Sequence, residues 1–293
     1  MNARFMPPID HQYRVHDAVD VEIDQLPTEP PNDAPPKSEL KEKLGKKVQS
    51  MAELQRKLYA EDRRALLVVF QAMDAGGKDG TIRNVFSGIN PAGVDVHSFK
   101  QPSTLELAHD FLWRVECRTP ERGHIGVFNR SHYEEVLVVR VHPAILESQR
   151  LHNYDVDTIW SDRFKAINDF EERLAANGTT ILKFFLNVSK KEQAKRLLAR
   201  IEEPKSNWKF DGNDVVQRQS WDAYQHAYQE LLRHTSKPWA PWFAIPADDK
   251  SYMRLKVAEI IEETLKTMDP QFPEVTDAQR TDLKKYKEIL RAD

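Results

Sequence analysis

The chain has 293 residues, a hydrophobic fraction of 40% and a formal net charge of −3 at pH 7, enough for one substantial core or two small ones. No apolar run approaches the length of a spanning helix and the N-terminal MNARFMPPIDHQYRV lacks the apolar stretch of a secretory signal, so a cytoplasmic protein without a membrane partner is expected. Cys117 is the only cysteine, which excludes an intramolecular disulfide and a cysteine-based metal cluster. The slight negative charge excludes a globally basic polyanion binder, so nucleic acid is not an expected partner and the cations for any polyanionic ligand must be gathered locally.

Residues 1 to about 37 are rich in proline and acidic groups (LPTEPPNDAPPKSE), which favours an extended arm over a packed element. From Ser38 to Tyr59 the residues Leu40, Leu44, Val48, Met51, Leu54 and Leu58 recur at three- and four-residue steps, predicting a helix. Five short apolar runs then read as strands: Ala65 to Gln71, Val94 to Phe99, Gly123 to Asn129, Thr180 to Leu186 and Trp242 to Pro246. Most have the composition of strands covered on both faces. Helical segments separate them, several opened by the pattern of a capping box: Ser103 with Glu106, Ser131 with Glu134, Ser189 with Glu192. Strands alternating with helices predict a parallel sheet in an α/β sandwich. No repeat and no composition break divides it, so a single domain is expected over 38–270. Past the linker DPQFPEV, residues 271–293 hold a final helix, Thr276 to Arg291, with its own box (Thr276, Gln279). It is expected to pack against the body or a neighbouring subunit through Leu283, Tyr286 and Leu290.

The segment Leu66 to Gly80, LLVVFQAMDAGGKDG, runs from a buried strand into a glycine-bearing loop ending Gly76-Gly77-Lys78. Strand, loop and helix in that order make a phosphate cradle: backbone N–H groups converge on an anion, the helix dipole points at it and the lysine adds a charge. Ala75, Gly76, Gly77, Asp79, Gly80 and Arg83 are its candidate phosphate contacts. The match to G-x-x-x-x-G-K-[ST] is imperfect, since Ala72 stands at the first glycine and Asp79 at the usual Mg²⁺-binding Ser or Thr. A glycine-softened turn after a core strand is the alternative.

Other candidates fall at the C-terminal ends of strands, where such folds place their active edge. The third strand enters FNRSHYEE, which groups Asn129, Arg130 and Glu134. Asn129 stands where phosphate-loop enzymes normally carry a Mg²⁺-binding Asp. Arg130 beside the loop would be bidentate to phosphate, while Glu134 is either a capping partner of Ser131 or a ligand contact. Around the second strand, Lys100 and Arg114 are candidate phosphate or nucleotide contacts, with solvated surface charge as the alternative, and Trp113 reads as core. The run RIEEPKSNWKFDGNDVVQRQSWDAY gathers Arg200, Lys205, Lys209 and Arg218. It is either a mobile lid over about 189–218 or a solvated helical hairpin. The ten histidines show no metal spacing.

Taken together, AMDAGGKDGTIRNVFSGINPAGVDVHSFKQPS, HDFLWR, GHIGVFNRSHYEEVLVVRVH and KFDGNDVVQRQSWDAYQHAYQELLRHTSKPWAPWFAIPAD closely resemble the polyphosphate kinase 2 family over roughly residues 40 to 268. The resemblance implies a P-loop kinase-like three-layer α/β/α sandwich with a five-stranded parallel sheet and a helical lid. It implies transfer of phosphoryl groups between inorganic polyphosphate and AMP, ADP and ATP with Mg²⁺, or Mn²⁺ in its place, by a homo-oligomer (dimer or tetramer). Asp74 and Lys78 look like the family's loop aspartate and lysine, acting on the metal and on the transferred phosphate. Arg130 resembles its phosphate-binding arginine, and Lys205 and Lys209 its chain-contacting cations. The chain departs from the family where many members have Asp-Arg-Ser and it has Asn129-Arg130-Ser131. Glu134 replaces an Asn of ADP-restricted members and is similar to the acidic residue of the subgroup that phosphorylates both AMP and ADP. Two other functions fit the same architecture: an ATP-dependent nucleoside monophosphate kinase, which needs a pocket for a second base instead of a basic track, and a non-catalytic nucleotide or polyphosphate sensor.

Overall fold

Ala65–Gln71 is buried at every position, as a strand must be when it has neighbours on both edges and helices on both faces. In the computed structural model, which describes residues 5, 9–16 and 20–292, this is the second of six strands: β1 Arg14–Val15, β2 Ala65–Gln71, β3 Val94–Ser98, β4 Ile125–Asn129, β5 Thr179–Asn187 and β6 Trp242–Pro246. They form one sheet in the order β1-β6-β5-β2-β4-β3. The register sets Phe70 of β2 opposite Asn129 of β4 and Phe184 of β5, so the loop after β2 and the segment after β4 leave the sheet side by side.

Helices of eight or more residues are α1 Lys37–Glu61, α2 Lys78–Phe86, α3 Ile159–Ala176, α4 Lys190–Glu202, α5 Gly212–Gln219, α6 Trp221–Thr235, α7 Lys250–Met268 and α8 Asp277–Ala292. α1, α2 and α7 pack together in one layer, and α3 and α6 in another. Between the layers lie Leu66, Val68, Phe70, Val127, Phe184 and Ile245, all fully buried, each such side chain contributing about 1.5–3 kcal/mol by its removal from water.

The parallel part of the sheet has the five strands expected, β2 to β6. A sixth, antiparallel strand is added by the N-terminal segment, which was expected to be extended and unpacked: Arg14 pairs with Phe243 and Val15 with Trp242. Without it β6 would be an open edge with unpaired backbone groups. Val15, Val21 and Ile23 of the same segment are buried in the core, three apolar residues that a proline-rich average conceals. At the other end of the chain, the box at Thr276 and Gln279 forms and opens α8. Leu283, Tyr286 and Leu290 stay exposed, at 59%, 57% and 75%, so the expected packing against the body is not made.

Candidate active site

The loop after β2 bends through a left-handed residue at Ala75 (φ 59°) and again at Gly77 (φ 105°). At the position between them a Cβ would fall 2.6 Å from the Ala72 Cβ and 2.8 Å from the Met73 carbonyl oxygen, so only glycine fits at Gly76. Gly77 then caps α2, whose first intrahelical donor is the Thr81 N–H, to the Gly77 carbonyl at 3.0 Å. The N–H groups of Lys78, Asp79 and Gly80 precede it and have no intrahelical acceptor. All three residues line a cleft of about 1050 Å³. Lys78 folds back so that Nζ donates to the Ala72 carbonyl at 2.7 Å. Burial, with Arg130 nearby, pushes its ammonium below the ordinary lysine range, and Asp74, Glu134 and Asp79 oppose that.

The facing wall is the end of β4. Asn129 donates through Nδ2 to Asp79 Oδ1 at 2.6 Å. Arg130 is left-handed (φ 63°), with its N–H on the Phe70 carbonyl at 3.1 Å. Its guanidinium donates to Asp74 Oδ1 at 2.9 Å and lies 3.7 Å from Glu134 Oε2. Those carboxylates, Glu134 first, hold Arg130 above its ordinary range. Glu134 is not the capping partner of Ser131, whose hydroxyl accepts from the Tyr133 N–H, and the segment His132–Val136 is a 3-10 turn. The Glu134 carboxyl is raised by burial, against the lowering effect of Arg130 and Lys78. Spacing alone fits a capping box here; the tighter turn takes it away.

Of the remaining candidates from the sequence, Asp74, Ala75, Gly76, Gly77, Arg83 and Lys100 line the cleft, as do Asn129, Arg130 and Lys209. Arg114 does not: it is held by Glu106 at 3.1 Å and donates to the Lys100 carbonyl at 2.9 Å, bracing the segment that carries Lys100. Lys205 and Glu134 are also outside the lining, Glu134 standing behind Arg130.

The sequence reading missed further cations of the cleft lining, namely Lys37, Lys195, Arg196, Lys250 and Arg254. Lys250 and Arg254 follow β6, so the rule that active groups collect after strand ends could have found them. Lys37 could not be found by a reading that left its segment unpacked. Burial and the neighbouring Arg83 and Arg196 push Arg254 below its ordinary range, and burial with Arg196 and Arg254 does the same to Lys250. Cations crowded in this way are stabilised by an anion between them. Over the cleft lies a helical hairpin, α4 and α5, joined by the 3-10 turn Asn207–Lys209 and pinned by Arg200 to Asp214 at 2.7 Å. Trp208 at its tip lines the cleft while 79% exposed. Among the described residues no group of three or more His, Cys, Asp or Glu is placed to hold a metal ion.

The model of the family described as polyphosphate kinase 2 matches residues 35–273. An ADP-polyphosphate phosphotransferase of Rhodopseudomonas palustris is 49% identical over 281 residues, 95% of this chain and 97% of that protein. An AMP/ADP-polyphosphate phosphotransferase of Meiothermus ruber is 48% identical over 224 residues, 76% and 80% of the two chains. The crystal structure of polyphosphate kinase 2 from Arthrobacter aurescens TC1 superposes with a TM-score of 0.85 at 36% identity, covering 96% of this chain and 98% of that one. With the family model matched over residues 35–273 and the fold of that crystal structure shared over nearly the whole chain, the chain belongs to the polyphosphate kinase 2 family.

Proposed function

We propose that this polyphosphate-dependent nucleotide phosphotransferase holds its donor chain along the phosphate loop and the cations Arg83, Lys195, Lys250 and Arg254, and its acceptor, AMP or ADP, at Arg130. The observation that carries the reading is the contrast between the neighbours of Arg130 and those of Lys250 and Arg254. Around Arg130 positive and negative groups alternate, which suits a nucleotide phosphate that must approach another anion. Lys250 and Arg254 have mainly cations for neighbours, with Glu192 and Asp249 only partly opposing, which suits a polyanion with about one charge per phosphate. The acceptor oxygen is already anionic near neutral pH, so no strong general base is required and positioning with charge neutralisation does the work. Lys78 and Arg130 meet the charge that shifts onto the transferred group and the donor's bridging oxygen, in a site whose donors are already in place.

The residues present fit Mg²⁺ or Mn²⁺. Such hard cations are held in phosphoryl-transfer sites by one or two carboxylates, with water and substrate phosphates completing the shell, and Asp74, Asp79 and the Asn129 side-chain oxygen Oδ1 supply that kind of donor. When bound, the metal would neutralise donor-phosphate charge. Lys209 is read as a further contact from the lid hairpin. The chain is also read as a homo-oligomer in which a neighbouring subunit covers Leu283, Tyr286 and Leu290; a monomeric mass by light scattering would remove that part.

The deciding assay combines purified protein, Mg²⁺, polyphosphate and AMP, followed for both ADP and ATP. Formation of both, with a rate that depends on chain length, supports the reading. Turnover of AMP only when ATP is the donor would make it a nucleoside monophosphate kinase, and absence of any turnover a sensor.

A further inference from the structure

The three carbonyl groups of Asp74, Ala75 and Gly76 all turn toward α4. Gln193 donates through Nε2 to the Asp74 oxygen at 3.0 Å. One helical step of three residues later, Arg196 donates through Nη1 to the oxygens of Ala75 and Gly76, each at 3.2 Å. Its Nη2 reaches the carbonyls of Ala247 and Asp248 at 2.5 and 3.1 Å, and its Nε goes to Glu192 at 2.9 Å. Both side chains are nearly inaccessible, Gln193 at 1% and Arg196 at 7%, so neither hydrogen bond exchanges freely with water. In a trans peptide the N–H of one residue points opposite to the carbonyl of the residue before it. Pulling these carbonyls toward α4 therefore turns the N–H groups of Ala75 and Gly77 away from it, where α4 cannot take them; both residues line the cleft. The Gly76 N–H is already used, donating to the Met73 carbonyl at 3.0 Å. A left-handed non-glycine residue such as Ala75 is strained and persists only where its surroundings fix it.

Gln193 has a second partner. Arg218, at the C-terminal end of α5, donates through Nη1 to Gln193 Oε1 and to the Lys190 carbonyl, both at 2.7 Å. A continuous path thus runs from the second helix of the hairpin through one buried amide to the backbone of the phosphate loop.

We infer that Gln193 and Arg196 are positioning residues that set the peptide planes of the phosphate loop, and that Arg218 makes the grip of Gln193 depend on where α5, the second helix of the hairpin, lies. The inference rests on the reading of this loop as the donor-phosphate site and adds what orients it. The test uses the full-length protein with Gln193→Met, Gln193→Glu, Arg196→Met and Arg218→Met. Hydrogen exchange of residues 72–80 is read without substrate, binding of a short polyphosphate without acceptor, and kcat and KM with polyphosphate and AMP.

Exchange in the loop is expected to rise about tenfold in Gln193→Met and Arg196→Met. kcat should fall on the order of 10²-fold, the scale of a misplaced reacting group, and polyphosphate should bind more weakly, with KM for AMP within twofold. Arg218→Met should show the same signs more weakly. Gln193→Glu keeps an acceptor for Arg218 but loses the donor to Asp74, and should loosen the loop as Gln193→Met does. If Arg196→Met does not fold, the two Gln193 variants, each altering one side chain, decide alone. Wild-type loop exchange together with a large fall in kcat would overturn the inference, as would a Gln193→Glu protein indistinguishable from wild type. Wild-type exchange in Arg218→Met would overturn the lid coupling. The exchange measurement involves no donor, so it fails separately from the polyphosphate reading, whose own failure shows as absent turnover in the wild type.

Discussion

Arg130 lies between two carboxylates, Asp74 at 2.9 Å and Glu134 at 3.7 Å, and the three side chains come from a loop, a strand end and a turn that meet only in the fold. Lys78 and Arg130 were singled out by local chain chemistry, a lysine at a helix start after a glycine-bearing loop and a cation after a buried strand, whereas Asp74 was named only through the family resemblance. Arg196 was not legible, because an arginine inside an amphipathic helix looks the same whether it faces water or four carbonyls. Replacing Lys78 by Ala should leave a folded protein with kcat lowered roughly 10²-fold or more, the cost of losing one preorganised donor at developing charge; near-normal turnover would remove the loop from the chemistry. For Glu134 the expected readout is selectivity. Burial raises its carboxyl above the usual 4.5, so its charge appears only as pH climbs past that raised value. If the charge orients AMP, the ratio of kcat/KM for AMP over ADP should rise with pH through that range in the wild type. In Glu134→Gln, which keeps the shape and loses the charge, the ratio should be low and flat. Identical ratios in the two proteins at neutral pH would leave Glu134 without a part in acceptor choice.

The four capping-box patterns separate what an element's sequence decides from what its neighbours decide. Ser103 and Glu106 form the full reciprocal box, and Thr276 and Gln279 do so at α8. At α4 the Ser189 hydroxyl accepts from the Glu192 N–H, but the Glu192 carboxylate turns to Arg196 and Lys195, since a nearby guanidinium outcompetes a backbone amide for a carboxylate. At Ser131 the box fails altogether, because the chain must turn tightly to bring Tyr133 into the core, where it is fully buried. The same distinction bears on the cations expected to hold polyphosphate. Lys205 and Lys209 sit in one hairpin, yet only Lys209 lines the cleft, whereas Lys195 and Arg254 line it from α4 and α7. Each cation that contacts the chain releases condensed counterions, so the slope of log affinity for polyphosphate against log salt should shrink by roughly one per contact removed. The slope should flatten by about two in Lys195→Ala with Arg254→Ala and stay unchanged in Lys205→Ala. The reverse pattern would move the donor track to the hairpin tip.

At the scale of the whole molecule, the layers meet in a charged network that no periodicity could reveal. Lys183 lies in the middle of β5, between the buried Leu182 and Phe184, and is fully buried with Glu171 of α3, Nζ to Oε2 at 2.6 Å. Nζ also donates to the Tyr133 hydroxyl and to the Thr235 carbonyl at the end of α6, both at 2.7 Å, while Tyr133 donates to Glu171 at 2.8 Å. One lysine thus ties together the sheet, two helices and the turn that carries Glu134. The strand was legible from its apolar residues; its partner was not, because Glu171 is 12 residues away on a helix that also carries solvated charges such as Lys165 and Asp169. Burial pulls Lys183 down to about 8, Glu171 opposing. A lysine lowered in the folded state makes folding costlier wherever it must be charged, so that cost is fully present below pH 8 and is relieved as pH rises toward the ordinary 10.5. Between those values the unfolded chain holds the extra proton, and this group alone adds stability with rising pH at up to ~1.4 kcal/mol per pH unit. Removing it in Lys183→Met leaves Glu171 buried without its cation, held only by Tyr133 and His132, which should cost about 3–5 kcal/mol at neutral pH, and removing both charges with Lys183→Met and Glu171→Leu should recover most of it. Denaturant unfolding of wild type and double variant from pH 7 to 10.5 checks the sign. The stability difference, wild type minus variant, should climb across that window, and a flat difference would mean that Lys183 carries no depressed pKa and that hydrogen-bond geometry alone holds the network together.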